Sequence, residues 1–381
     1  MLFETPALGP QELSVIVQID ELRNNMRVRL NEPHRWTGSL RRSMFARAVQ
    51  ASNSIEGYDA PVDDALAIEM GEDPLDASEE TALAIKGYRD ALTYVLLLSE
   101  EPQFHYGEQL LRSLHFMMTN YSLRNRPGLW RAGSIYVRNE STGDIVYEGA
   151  DVDLVPDLMH KLAQCLETDT NTPSMVKAAM AHLNLVLIHP FKDGNGRMGR
   201  CLQTLVLARE GILSPVFCSI EEYLGRNTQA YYDVLAEVGG GSWQPTRDAR
   251  PWLRFCLTAH LRQARTTLRR IKESERLWGE LEQLVEERRL PYRTIIALYD
   301  ASAGFRVRRA VYRAFFEEDD EISEQVATRD LGRLVDAGLL RPHGEKRGRF
   351  YTATDELAAI QQQMVKARDP RDDSDPFALS A

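Results

Sequence analysis

Several large classes of protein are excluded by what this sequence lacks. Its four cysteines, Cys165, Cys201, Cys218 and Cys256, show no C-x-x-C spacing. Neither a disulfide framework nor a cysteine-based zinc cluster is expected, and a reducing compartment fits. No run of residues nears the roughly 18 apolar positions that a membrane-spanning helix needs. The opening MLFETPALGPQEL lacks a basic stretch followed by an apolar one, the mark of a secretory leader. The expectation is a cytoplasmic protein without membrane contact. Net positive charge is also missing: 46 Lys and Arg stand against 56 Asp and Glu, a formal charge of −10. That balance argues against broad, charge-driven association with nucleic acid and leaves small molecules or proteins as the expected partners. The chain has no internal repeat, no G-x-x-x-x-G-K-[ST] loop and no G-x-S-x-G elbow. His34, His105, His115, His160, His260 and His343 form no H-E-x-x-H or similar ligand pattern.

What is present is helical periodicity. Apolar residues recur three and four apart in ALAIKGYRDALTYVLLLSE, HYGEQLLRSLHFMMTNY, SMVKAAMAHLNLVLIH and GRCLQTLVLAREGIL, a spacing that predicts helices. One stretch breaks it. In GSIYVRNESTGDIVYEG two short β-prone runs, Ile135 to Val137 and Ile145 to Tyr147, flank the turn residues NESTGD, which predicts a hairpin. Near residue 275 the composition shifts to the charged amphipathic ESERLWGELEQLVEERRLPYRTII, read as a connector between domains. Beyond it, RRAVYRAFF, SEQVATRDLGRLVDAGLL and RPHGEKRGRFYTAT suggest helix, helix and a two-stranded wing, the order of a winged helix-turn-helix. The expected fold class is mainly α: a helical core with a small β-hairpin flap, followed by a winged helix-turn-helix domain. The expected boundaries are 1–105 for an N-terminal helical region, 106–275 for the core, 276–365 for the winged-helix-like domain and 366–381 for an Asp/Pro-rich disordered tail.

Twelve residues concentrate the chemistry: HPFKDGNGRMGR, 189 to 200. The helix before them should end at His189, because Pro190 disfavours helical geometry in the residue ahead of it. A second helix follows, with Asn195 placed to cap its start and Gly211 to end it. Between them DGNG forms a loop whose glycines permit positive φ and let backbone amides point inward. Such a loop feeding a helix N-terminus is an anion site, and Arg197 and Arg200, three apart, add charge-assisted contacts to phosphate oxygens. Asp193 offers a hard oxygen ligand for Mg²⁺, which normally takes one or two carboxylates and fills its other positions with water and phosphate. His189 can accept a proton near pH 7 and suits a general base acting on a hydroxyl. Base, metal ligand, anion cradle and cations together make a phosphoryl or nucleotidyl transfer site.

The order of these residues resembles the Fic-domain motif, HPFx(D/E)GNGRxxR, at every fixed position. The resemblance implies a protein adenylyltransferase: His189 deprotonates a Ser, Thr or Tyr hydroxyl of a target protein or of the chain itself, which attacks the α-phosphate of ATP and keeps the AMP. It also implies that Asp193 holds Mg²⁺, that Lys192, Gly194, Asn195, Gly196 and Arg197 belong to the nucleotide site, and that Arg200 binds the γ-phosphate. A related branch of the superfamily carries Lys at the position of Gly196 and transfers phosphate; glycine places this chain with the adenylyltransferases. The hairpin before the motif is expected to act as a flap that docks the target by strand addition, through Ile145, Val146 and Tyr147. Phe191 is read as an anchor of the loop in the core.

Far upstream, ASNSIEGY, 51 to 58, resembles the inhibitory signature (S/T)xxxE(G/N) of the same family, with Ser52, Glu56 and Gly57 in place. Ser52 and Glu56 share a face of a helix expected over about 41–57, whose apolar stripe includes Met44, Phe45, Ala48, Val49 and Ile55. The resemblance implies a class II arrangement in which Glu56 pairs with Arg200 and blocks productive ATP binding.

Other signals are weaker. In RNTQAYYDVL, Asn227 could contact the nucleotide and Tyr231 or Tyr232 could stack on adenine, though core tyrosines read equally well. His182 reads as packed. A second function is DNA binding through VATRDLGRLV, with Arg329 and Arg333 on the recognition helix and Arg306, Arg308, Arg309, Lys346, Arg347 and Arg349 at phosphates. EEDDE at 317–321 leaves the segment near neutral, so a winged helix used for packing is favoured over one that binds DNA. Removal of AMP by the same site, the target protein, a homodimer and what relieves inhibition all stay open.

Overall fold

The computed structural model describes residues 1–31, 34–138, 142–209, 211, 214–316, 322–345, 348–368 and 370–378. The first helix, α1 (Pro10–Leu30), begins where Pro10 sets the first turn and the Glu12 carboxylate turns back to accept from Gly9 N at 2.9 Å. α2 (Arg35–Ser54) buries Trp36, Leu40, Met44, Phe45 and Val49 on one side, the stripe its sequence shows. It starts earlier than expected and stops at Ser54, so Glu56 lies in the turn just beyond the helix. That turn closes at Gly57, whose φ of +81° is open to glycine at little cost. α3 (Val62–Glu69) and α4 (Glu79–Leu98) follow, the latter capped by Ser78, whose hydroxyl accepts from Thr81 N at 3.2 Å.

α5 (Glu108–Thr119) leads to the hairpin of β1 (Tyr136–Arg138) and β2 (Ile145–Glu148), which pair antiparallel with Val137 opposite Tyr147. The hairpin lies where alternation predicts it; Asn139, Glu140 and Ser141 of its turn lie outside the described residues. α6 (Val155–Thr168), α7 (Ser174–Ile188) and α8 (Asn195–Ala208) come next. α7 is buried on nearly every side, as its composition requires. It packs so closely on α8 that a Cβ at Gly199 would come within 2.6 Å of Val186 and 2.7 Å of His182. His182 is a packed residue, as read: its ring bonds Gln203 and the Tyr231 hydroxyl, and burial pushes its pKa down to about 3.

After α9 (Pro215–Cys218), α10 (Glu221–Arg226) and α11 (Thr228–Gly239), the chain enters α12 (Arg250–Glu287), unbroken over 38 residues. The boundary expected at 275 therefore falls inside one helix, whose Ile271, Leu277, Trp278 and Leu281 are all buried. No joint separates a core from a following domain there. α13 (Ile295–Ser302), β3 (Val307–Arg308), α14 (Arg309–Ala314), α15 (Glu324–Asp336), β4 (Leu340–His343), β5 (Phe350–Ala353) and α16 (Asp355–Lys366) complete the chain, with a three-stranded antiparallel sheet in the order β3-β5-β4. Lys346 and Arg347, and the acidic run 317–321, lie outside the described residues. The segment after α16 departs from the expected disorder over 370–378. Asp372 pairs with Arg265 at 2.6 Å, Arg262 donates to the Asp373 carbonyl at 2.6 Å, and Phe377 is buried beneath Arg254.

The apolar core runs as one cluster from Phe3 to Phe377. The N-terminal helices belong to it: Glu12, itself buried, pairs with Arg250 and Arg254 of α12 at 3.3 and 2.8 Å. Among the described residues no helix is long and apolar enough to cross a membrane.

Candidate active site at the junction of α7 and α8

α7 ends on His189, which takes the left-handed conformation at φ 56°, ψ 58°. A side chain in this region is strained by about 1 kcal/mol or more, and the surroundings hold it there. Arg131 donates from Nε to the His189 carbonyl at 2.8 Å and from its backbone N to the Pro190 carbonyl at 2.9 Å, while its guanidinium also reaches the carbonyls of Gly133 and Ala150. Gly149 leaves room for the ring, since a Cβ there would stand 3.1 Å from the His189 Cβ. The imidazole Nδ1 lies 3.1 Å from the Val186 carbonyl. A carbonyl only accepts, so Nδ1 carries the proton and Nε2 keeps its lone pair. Burial lowers the pKa of the ring, against the opposing pull of the Val186 bond and of Glu56. The half-buried His189 is therefore a neutral base at neutral pH.

The loop is fixed from below. Phe191 is fully buried and stacks on His115 with ring centroids 3.7 Å apart, the anchoring read from sequence. Asn195, expected to cap α8, does something else. Its Oδ1 accepts from Phe191 N and its Nδ2 donates to the Phe191 carbonyl, both at 2.9 Å. Both ends of the amide are spent on the loop, and at 2% exposure it offers nothing to a ligand; it positions the loop instead. Gly194, with φ +77°, stands at the N-cap. His115 Nε2 donates to the Asp193 carbonyl at 2.9 Å while its Nδ1 accepts from Gly128 N at 2.9 Å, and burial brings its pKa down to about 4.

Asp193 accepts from Asn125 Nδ2 and from Gly194 N, each at 2.7 Å, and its half-exposed carboxylate lies 3.7 Å from Arg197 Nη2. Among the described residues no group of three His, Cys, Asp or Glu gathers to hold a metal. A lone carboxylate beside an anion cradle does suit Mg²⁺ carried in with a nucleotide, because phosphate and water supply its other ligands.

Arg197 and Arg200 in the first turns of α8 are both buried. Arg200 donates from Nε to the Ser52 hydroxyl at 2.8 Å, and from Nη2 to the Ser52 carbonyl at 2.8 Å and to Glu56 Oε1 at 2.7 Å. That pair, led by Glu56, raises the Arg200 pKa against the penalty of burial. Arg200 Nη1 and Arg197 Nε and Nη2 are buried donors without a hydrogen-bond partner, a costly state unless an anion visits. Glu56 presses on the helix start itself: a Cβ at Gly196 would lie 2.2 Å from Glu56 Oε1 and 3.1 Å from Arg200 Nη1. The carboxylate thus occupies the space beside the first turn of α8.

Other sequence-derived residues divide. Ile145 and Val146 are exposed on β2, whereas Tyr147 is buried, its hydroxyl donating to the Leu187 carbonyl at 2.7 Å; it secures the flap and cannot dock a partner. Lys192 is exposed and donates to the Arg124 carbonyl at 2.8 Å. Asn227 donates to the Tyr223 carbonyl at 2.8 Å and lines a different cleft. Tyr231 is 1% exposed, bonded to His182 and packed under Arg200, so it has no face for a base. Tyr232 is half-exposed and donates to the Ile55 carbonyl at 2.9 Å, holding the end of the turn that carries Glu56. Sequence reasoning missed Arg131, Asn125 and His115, and also Tyr58 and Tyr121, which flank Arg197.

Residues 105–207 match the Fic/DOC family. The chain is 34% identical over 116 residues to protein adenylyltransferase fic-1 of Caenorhabditis briggsae, a match that covers 29% of this chain and 20% of the relative. It is 31% identical over 85 residues to a probable protein adenylyltransferase of Aquifex aeolicus, covering 22% and 27%. The chain thus spans about a fifth to a quarter of the length of the curated relatives it matches. In three dimensions it resembles a Fic family protein from Desulfovibrio desulfuricans, with a TM-score of 0.57 at 23% identity over 92% of this chain and 98% of that one. It also resembles Fic-1 from Caenorhabditis elegans, with a TM-score of 0.54 at 21% identity over 69% and 73%. These likenesses are of fold.

Proposed function

We propose, from the premise that residues 105–207 form a Fic domain, that this chain is a protein adenylyltransferase that moves AMP from ATP to hydroxyl side chains of target proteins and of itself. The observation that carries the reading is the pairing of a free His189 Nε2 with a helix start whose buried arginines hold spare donors. His189 takes the proton of the incoming hydroxyl, whose oxygen attacks the α-phosphorus; the bond to the β-phosphate oxygen breaks and pyrophosphate leaves. Arg197, Arg200 and the amides at Gly194 and Gly196 receive phosphate oxygens. Asp193 would hold Mg²⁺ with the nucleotide, where the ion neutralises phosphate charge. The exposed Ile145 and Val146 of β2 offer an extended segment to the target.

In the state described, the site is held off. Glu56 takes Arg200 and the space against Gly196, so ATP meets a carboxylate where its outer phosphate belongs. Ser52 holds the Arg200 side of that pair, and Tyr232 holds the Ile55 carbonyl next to Glu56 in the chain. The region from α13 to β5 we read as a winged helix turned to packing: Arg306 pairs with Asp63 and Asp76, and Arg308 donates to the Asp73 carbonyl, so two cations assigned to phosphates bind the N-terminal region instead. The test is transfer from ATP labelled at the α- or the γ-phosphate, comparing wild type, Glu56→Gly and His189→Ala. Label arriving from the α position alone, raised by the first change and abolished by the second, is the expected result; label from the γ position sinks the reading.

A further inference from the structure

A row of cations runs along a face of α12 that the reaction does not use. Arg262, Arg265, Arg269, Lys272 and Arg276 follow one another at intervals of three, four, three and four residues, so they stack on one side of the helix over about 21 Å. Like charges at these spacings repel, and helix stability does not account for the row. It forms one wall of a cavity of about 760 Å³, within the range of small-ligand sites. Eight of the residues lining that cavity are Arg or Lys and three are acidic, in a chain whose formal charge is −10.

The cations are only partly neutralised. Arg226 pairs with Glu222, Arg265 with Asp372, and Arg368 and, at 3.9 Å, Arg269 with Glu273, but Lys272, Arg276 and Arg371 make no ion pair among the described residues. Arg262 Nε and Arg269 Nε are buried atoms without a hydrogen-bond partner. The contact of Asp372 Oδ2 with Arg265 Nη1, at 2.6 Å, shows that the row accepts an oxyanion. Leu22, Tyr223 and Leu268 give the same cavity an apolar flank. A smaller cavity of about 240 Å³ shares Arg226, Arg269, Arg368 and Arg371 and reaches Arg47 on α2.

We propose that this cleft binds a small polyphosphate, either a nucleoside polyphosphate or an inorganic chain, at a site separate from the start of α8. A polyphosphate presents several charged oxygens to several guanidinium forks at once, which a simple carboxylate with its single charge does not. The cleft is half open and bounded on one side by residues 370–373, which favours a compact ligand over a continuous strand.

The test is calorimetric titration of the full chain with inorganic tripolyphosphate and, separately, with ATP. A variant carrying Lys272→Gln, Arg276→Gln and Arg371→Gln is compared with wild type, its folding checked by melting temperature. These side chains carry no ion pair among the described residues, so the variant is expected to melt as wild type does and to bind tripolyphosphate at least roughly tenfold more weakly. Single changes at Lys272 and Arg276 serve as a second set should the triple variant fold poorly, each weakening binding by a smaller factor. ATP binding tighter than tripolyphosphate at the cleft makes the ligand a nucleotide; equal binding makes it the inorganic chain. Unchanged affinity in these variants overturns the proposal, as does tighter binding of a single-stranded oligonucleotide than of either probe.

Discussion

Two places in this molecule gather positive charge, and they do so in opposite ways. At the start of α8, Arg197 and Arg200 are stripped of water and fixed by neighbours. Along α12 the cations are spread over four turns and keep contact with solvent, Lys272 and Arg276 exposed and Arg262, Arg265 and Arg269 half-buried. A desolvated guanidinium needs an anion beside it, or it costs several kcal/mol; a solvated one does not. Under the proposed function the first site would exchange one anion for another, Glu56 for a phosphate, whereas the proposed second site would fill or empty gradually.

Several experiments break or sharpen that contrast. The largest effect expected is on turnover: His189→Ala lowers AMP transfer by roughly 10²- to 10⁴-fold, the range of general-base catalysis, while tripolyphosphate binding at the cleft stays at the wild-type level by calorimetry. Next is stability against pH, through the buried His115 that grips the loop ahead of α8. His115 has its folded pKa pushed down to about 4, below the ordinary 6.5. Its contribution is complete above pH 6.5 and is lost as pH falls toward 4, since the unfolded chain then binds the extra proton. Loss of roughly 3 kcal/mol follows over that interval, and denaturant melts of His115→Gln should show a flatter pH dependence.

Glu56→Gly should raise transfer by roughly tenfold or more, since a buried pair of this type is worth on the order of 3–5 kcal/mol to break; equal rates in mutant and wild type would refute the switch. The smallest effect is that of salt. Between about 0.05 and about 0.5 M NaCl, tripolyphosphate at the cleft should weaken severalfold, and ATP at the start of α8 in the Glu56→Gly background much less, because buried charges are screened least.

The same contrast explains what could be read from the sequence. The candidate α8 site was legible where its residues are contiguous: His189, Asp193, Gly194 and the two arginines fall within twelve positions, and Ser52 and Glu56 stand out only through their resemblance to the family's inhibitory signature. It was illegible where tertiary contacts supply the parts. Arg131 reaches His189 across 58 residues, and His115 grips Asp193 across 78, and neither has a local pattern. Asn195 misled because asparagine near a helix start usually caps it, whereas here the amide turns back to Phe191. Tyr231 and Tyr232 are neighbours on α11, and one points into the core while the other does not. The boundary at 275 followed a real shift toward charge, yet no proline lies between Pro251 and Pro291 to stop the helix. The basic row on α12 was visible at heptad spacing, but a charged helix face ordinarily means only solvent.

The unbroken course of α12 has a mechanical consequence. Its first turns clasp Glu12 and its distal half packs beneath α13, so the helix acts as a beam of about 57 Å with no pivot along its length. The arginines of its exposed face are thus carried on one continuous element that also holds the contacts to α1 and α13.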